Sequence, residues 1–251
     1  MAEMVTDMKI AIEAARALTY ETSRVCDIEN NTNRILEGPR KLDPAEKKQR
    51  RQIAKSCKRL NSMLTPLAKY YASEMCVSVA NLAVQVLGGS GYMQDYAAER
   101  YLRDARITTI YEGTSQLQIV AAVRRVTTGT LDAWVEPYER AEYDDADLNQ
   151  MKQSLLDARN HLNEAIDFVK QRSATYMDLC GRRLVDAAAI IIIGHLLLDQ
   201  AKSNERKQHV ARRFLTSQLP LLDMSCRQVL SGDTSALDQY ELLAGPVPST
   251  A

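Results

Sequence analysis

Apolar residues recur every three or four positions along almost the whole of this chain, and nowhere do they alternate. The first series runs Met1, Met4, Val5, Met8, Ile12, Ala15, Leu18 and Val25, and a later one runs Leu67, Tyr71, Met75, Val79, Leu82 and Val86. That spacing is one face of an α-helix, and without period-two alternation there is no case for half-buried strands. Helices packed on helices are the architecture that remains. We expect an all-α protein, a helical bundle over residues 1–133 followed by a second small helical bundle over residues 134–251.

Local signals punctuate the pattern. Asn30 to Asn33 loosens the first helix, and Gly38-Pro39 ends it. Asp43-Pro44 and Thr65-Pro66 each read as a cap followed by proline in the first helical turn. The basic run from Lys47 to Arg51 reads as a solvated helix face. Gly88 is expected as a left-handed residue closing the helix before it, and Gly129 as the end of a later one. Asp95 to Ile107 reads as a short helix, the β-branched Ile107 to Tyr111 as a break, and Gly113-Thr114 as a fresh start. Trp134 to Asp147 is expected to be an irregular linker. Beyond it lie helical stretches from Leu148 to about Leu179, from Arg182 to about Ser203, and from Glu205 to about Leu230, the last interrupted at Pro220. Ser231 to Ala251 is expected to lie over the surface.

The totals narrow the function classes. With 32 basic and 32 acidic side chains the formal net charge is zero, which argues against a broad nucleic-acid or membrane footprint. Five scattered cysteines and three histidines show no ligand spacing, so we expect reduced thiols and no metal. The Met1 end has no secretory pattern. The apolar run Leu184 to Leu198 contains Asp186, Gly194 and His195 and reads as a buried core helix. We expect a cytoplasmic protein.

Two interruptions carry groups that can do chemistry. The first is GGSG, with Gly88, Gly89 and Gly91, at the end of a long helix. By itself this is a C-cap and turn, and it fits neither a Walker A loop nor a dinucleotide fingerprint, which follows a strand. The second is YEGT, with Glu112 between Tyr111 and Gly113. A lone carboxylate near a helix start serves as a cap or dipole partner. On non-helical backbone beside a glycine it also suits removal of a C–H proton next to a carbonyl held by backbone amides. From the residues alone both readings stay open.

The two motifs, AVQVLGGSGY and ERYLRDARITTIYEGTSQLQ, together resemble the C-terminal α-domain signature of the acyl-CoA dehydrogenase family. The match runs from the first helix to about Arg125 and keeps spacing and order. LTPLAKYYASE is similar to the helix that leads into the signature, and the last third resembles a helical domain appended in some bacterial branches. The resemblance implies dehydrogenation of an acyl-CoA thioester across its α and β carbons by flavin adenine dinucleotide. It implies Glu112 as the α-proton base, its main-chain N–H on the thioester oxygen, and Tyr111 and Gly113 lining the thioester end of the pocket. Arg124 falls where some members contact CoA. Gln85, Val86, Leu87, Gly88 and Gly89 resemble the segment that reaches the cofactor of a neighbouring subunit, and Thr114 and Gln116 resemble residues touching the cofactor beside Glu112. Arg103 and Asp104 read as a structural ion pair or cap holding the turn between the motifs.

As partners the resemblance implies an acyl-CoA substrate, a homodimer or homotetramer, and electron-transfer flavoprotein as acceptor. Family members also carry an N-terminal α-domain, a β-domain and a first C-terminal-domain helix that this sequence does not contain. We therefore expect a fragment or split-gene product, inactive without those domains, with an apolar face along Met4, Met8 and Ile12 that is either bare or covered by a partner. The alternative is a non-catalytic helical assembly module that keeps the signature as ancestry.

Overall fold

The computed structural model describes residues 1–246, and every regular element among them is helical. Two long helices form its spine. Helix α1 spans Ala2–Glu37, and α2 spans Pro44–Leu87, 44 residues or about 66 Å of helix. They pair along most of their length because α1 presents Ala14, Ala17, Leu18 and Val25 as a stripe of small and branched side chains buried against α2. At the start of α2, Asp43 caps by accepting from the Glu46 N–H at 2.9 Å, and Pro44 follows as the sequence predicts.

Helices α3 (Gly89–Tyr92), α4 (Ala98–Ile107) and α5 (Ser115–Val126) then fold back along α2. Helix α6 spans Thr130–Glu139, and α7 (Ala146–Lys170), α8 (Ala174–Ala201) and α9 (Glu205–Leu230) form a three-helix unit. Short helices α10 (Ser235–Asp238) and α11 (Tyr240–Ala244) lie exposed after it. The end of the segment expected to cover the surface, residues 247–251, lies outside the described residues.

The central helix of the second unit is α8. It is long and apolar enough to cross a bilayer, yet most of that stretch is buried against α5, α7 and α9. Gly194 lets α7, α8 and α9 meet: a Cβ there would stand 2.6 Å from Leu155 Cδ2 and 3.0 Å from Leu215 Cδ2. Both leucines are buried and have little room to yield. Gly194→Val should lower stability by about 1–3 kcal/mol, read as a lower denaturation midpoint with an unchanged slope.

Several local expectations give way to packing. Helix α1 runs unbroken through Asn30 to Asn33. Helix α2 runs through Thr65-Pro66, with Pro66 buried, and α9 runs through Pro220. Proline removes one backbone donor in each, and the contacts made on both sides of it outweigh that loss. Residues Leu148 to Leu179 are two helices, broken between Lys170 and Ala174, where Ser173 caps α8 by accepting from Tyr176 N at 3.1 Å. The first part of the expected linker, Trp134 to Glu139, belongs to helix α6, and only Arg140 to Asp145 is irregular before α7 begins. Trp134 is buried, donates from Nε1 to Glu21 at 3.0 Å and stacks on Tyr138, so it fastens α6 to α1.

The face expected to be bare or covered by a partner, Met4, Met8 and Ile12, is half-buried. Helix α9 lies along it, with Arg213 paired to Asp7 and Glu3, and Arg206 and Lys207 to the buried Glu13. The Arg206 guanidinium, with Lys207, holds the Glu13 carboxyl down to about 2 against the opposing effect of burial.

Candidate functional site

Helix α4 ends at Ile107, where the Thr108 and Thr109 hydroxyls donate back to the carbonyls of Ala105 and Arg106 at 2.7 and 3.0 Å. The chain tightens into turns, with Ile110 N and Tyr111 N both donating to Ile107 O. It then reverses through Glu112 at φ 51° and Gly113 at φ 96°. Thr114 returns to extended backbone and caps α5 by accepting from Leu117 N at 3.4 Å. Ser115 N donates to Thr109 O at 3.0 Å and closes the loop.

Among the described residues Glu112 alone has a positive φ without being glycine. An L-residue pays about 1–2 kcal/mol for that conformation, so the surroundings must hold it. They do so from α2. Ser115 Oγ donates to Glu74 Oε1 at 2.5 Å, a short charge-assisted bond of a kind worth about 1.5–3 kcal/mol. Lys69 Nζ donates to Thr108 O at 2.5 Å and stands 4.9 Å from the centre of the Tyr111 ring. Gln118 Nε2 donates to Glu112 O at 3.4 Å, in the space a Cβ on Gly113 would enter.

The turn presents an exposed carboxylate on pinned backbone. The main-chain N–H groups of Glu112 and Gly113 find no acceptor among the described residues. Two free amides in consecutive positive-φ residues beside a carboxylate can hold a carbonyl oxygen while the carboxylate takes a proton from the neighbouring carbon. Around the turn Ile107, Ile110, Tyr111 and Leu117 are all exposed. Apolar exposure grouped in this way marks a surface that meets something else.

The glycine motif forms a second surface. Gly88 has φ 60° and ψ −138°, so it lies outside the left-handed helical region expected for it, in a region that only glycine enters readily. Gly91 is buried, and a Cβ there would stand 2.6 Å from Val84 O, so the missing side chain lets α3 double back on α2. Gly88 and Gly89 face open space and are exposed, as are Gln85 and Leu87; Val86 is half-buried.

These two surfaces do not converge. Ser115 is anchored at Glu74, and Gln85 to Gly89 follow 11–15 residues later on the same axis, about 17–22 Å away. Thr114 and Gln116, both exposed, lie at the N-terminus of α5 beside Glu112. Arg124 is exposed in the last turn of α5, about 15 Å further along. Arg103 pairs with Glu99 at 2.9 Å and not with Asp104, because residues four apart share a helix face and adjacent residues do not. Sequence reasoning missed Lys69, Glu74 and Ser115, whose partners lie 39 and 41 positions away and leave no local signal.

Residues 45–127 match the family model for the acyl-CoA dehydrogenase C-terminal domain, and residues 127–217 match a second model, acyl-CoA dehydrogenase C terminal. The chain belongs to the acyl-CoA dehydrogenase family. Over 118 residues the chain is 34% identical to the caffeyl-CoA reductase–Etf complex subunit CarC of Acetobacterium woodii, covering 47% of this chain and 24% of that one. The acyl-CoA dehydrogenase fold extends over both helical units. ACDH-11 of Caenorhabditis elegans, solved in complex with C11-CoA, superposes with a TM-score of 0.70 at 21% identity, over 95% of this chain and 40% of that one. An acyl-CoA dehydrogenase from Bacillus anthracis, solved with FAD, gives 0.68 at 19% identity, over 96% and 44%. This chain thus spans less than half the length of these acyl-CoA dehydrogenase relatives.

Proposed function

We propose that this chain supplies the proton-abstracting turn and part of the flavin-binding surface of an FAD-dependent acyl-CoA dehydrogenase. The observation that carries the reading is Glu112: an exposed carboxylate held at positive φ beside two unpaired backbone amides. In this reading those amides receive the thioester oxygen, so that removing the α-proton builds negative charge where donors already point. Glu112 takes the proton, and Tyr111 and Gly113 flank the thioester. Bound flavin supplies the two-electron oxidant that accepts the β-hydride.

Two features support a fit to the cofactor. Gly88 and Gly89 are exposed where side chains would otherwise project, so a diphosphate can approach the main chain closely. The N-terminus of α5 offers the Thr114 hydroxyl and the Gln116 amide beside a positive helix end. Because these lie about 20 Å apart along α2, we assign them to two cofactors of a homo-oligomer, one beside each surface. The exposed apolar residues around Glu112 then face the acyl-CoA- and flavin-holding domains that the chain's relatives carry. Electron-transfer flavoprotein is the proposed acceptor and the cytoplasm the proposed compartment, in keeping with five unpaired cysteines.

The purified chain, alone and mixed with the N-terminal and β domains of a relative, should be incubated with FAD and separated by size. We expect yellow protein from the mixture. Colourless protein under both conditions overturns the reading and leaves a helical assembly module in its place.

A further inference from the structure

One short stretch of α2 faces both the Glu112 turn and the second helical unit. Lys69 and Glu74 hold the turn, through the Thr108 carbonyl and the Ser115 hydroxyl. Between them Tyr70, which is buried, donates to Asp186 Oδ1 at 2.7 Å and accepts from Arg182 Nη1 at 2.7 Å. Asp186 and Arg182 belong to α8. Arg182 also stands 5.2 Å from the centre of the Tyr70 ring. The residues that fix the turn are therefore themselves fixed from behind by the second unit.

We propose that Glu74 is the positioning residue for Glu112, with Ser115 as its direct partner and the Tyr70–Asp186 pair of α8 as its support. The role of Glu112 rests on the function proposed above; the mechanical link stands on the hydrogen bonds alone. Ser115 opens α5, its N–H closes the loop on Thr109 O, and its hydroxyl ends on Glu74. Removing the carboxylate frees the first residue of α5 and with it the anchor of the left-handed turn. The Glu74 carboxylate also lies at the positive end of α5, so its charge and its hydrogen bond act in the same direction. This gives the second helical unit a task at the site: through Asp186 and Tyr70 it steadies the stretch of α2 on which the base depends.

Backbone hydrogen exchange and the ¹³C shifts of Glu112 test this on the full chain without flavin. In Glu74→Ala and Ser115→Ala, exchange at Ile110, Tyr111 and residue 115 should accelerate about tenfold or more, and the Glu112 shifts should leave their positive-φ values, while α1 and α9 keep their protection. Glu74→Gln retains an acceptor oxygen and should restore most of the protection. Tyr70→Phe should accelerate the same three amides by a smaller factor. Unchanged exchange and shifts in both alanine variants overturn the proposal, as does acceleration spread equally over α1, α2 and α9, which would mark general loosening. Failure of the dehydrogenase reading looks different: no flavin is taken up, while the turn still responds to Glu74.

Discussion

Replacing Glu112 by glutamine is expected to lower turnover of the flavin-loaded dehydrogenase assembly by about 10²–10⁴-fold, the usual worth of a general base. Glutamine keeps the length of the side chain and every main-chain group of the turn. In the proposed assembly the two unpaired amides remain in place for the thioester, Gln118 still holds the carbonyl of residue 112, and Ser115 still reaches Glu74. Substrate and flavin binding should therefore change little, and the loss should fall on kcat with KM nearly constant. Steady-state kinetics on both proteins, with flavin content measured alongside, checks this. Full activity in the variant would move the base to another residue.

The second large effect concerns stability in acid. His195 is fully buried on α8, and both its ring nitrogens lack a hydrogen-bond partner among the described residues. Its ring lies 5.9 Å, centre to centre, from that of Tyr138. Burial, and then the nearby Arg159 and Lys152 cations, push its pKa down to about 4 from the ordinary value of 6.5. The unfolded chain therefore takes up a proton near pH 6.5, and the folded chain does not until about pH 4. The stabilisation is whole above pH 6.5 and is lost as pH falls toward 4. At 1.36 kcal/mol per unit the drop is about 3 kcal/mol. Denaturation midpoints for wild type and His195→Leu between pH 7 and pH 4.5 should show a steep loss in the first and a shallower one in the second. Equal slopes would show that His195 is not the group responsible. Glu13, held down to about 2, adds a separate loss at lower pH, beginning below its ordinary value of 4.5.

The sequence made some features legible and hid others for physical reasons. Apolar spacing needs only a helix and a core, so it revealed the all-α architecture and the burial of α8. The cap at Asp43 and the helix start at Gly113-Thr114 depend on atoms a few residues apart, and both appear where the residues predict. Pro66, Pro220, Asn30 to Asn33 and Trp134 misled, because whether a helix survives a weak residue depends on what packs around it. At the site, the residue types of YEGT suggested carboxylate chemistry, and the family signature gave it a direction. The positive φ of Glu112 could not be read from them, since glutamate does not choose that conformation unaided. What imposes it is a set of contacts to Lys69 and Glu74 from across the fold, and distant pairings leave no periodicity behind.

The most direct test of the central claim is anaerobic titration of the flavin-loaded assembly with butyryl-, octanoyl- and palmitoyl-CoA in turn, following flavin absorbance. A chain that carries the α-proton base should bleach the flavin with at least one of these, and its Glu112→Gln variant should bind the same thioester and stay yellow. Equal bleaching in both proteins would contradict the account, because proton abstraction would then not depend on Glu112.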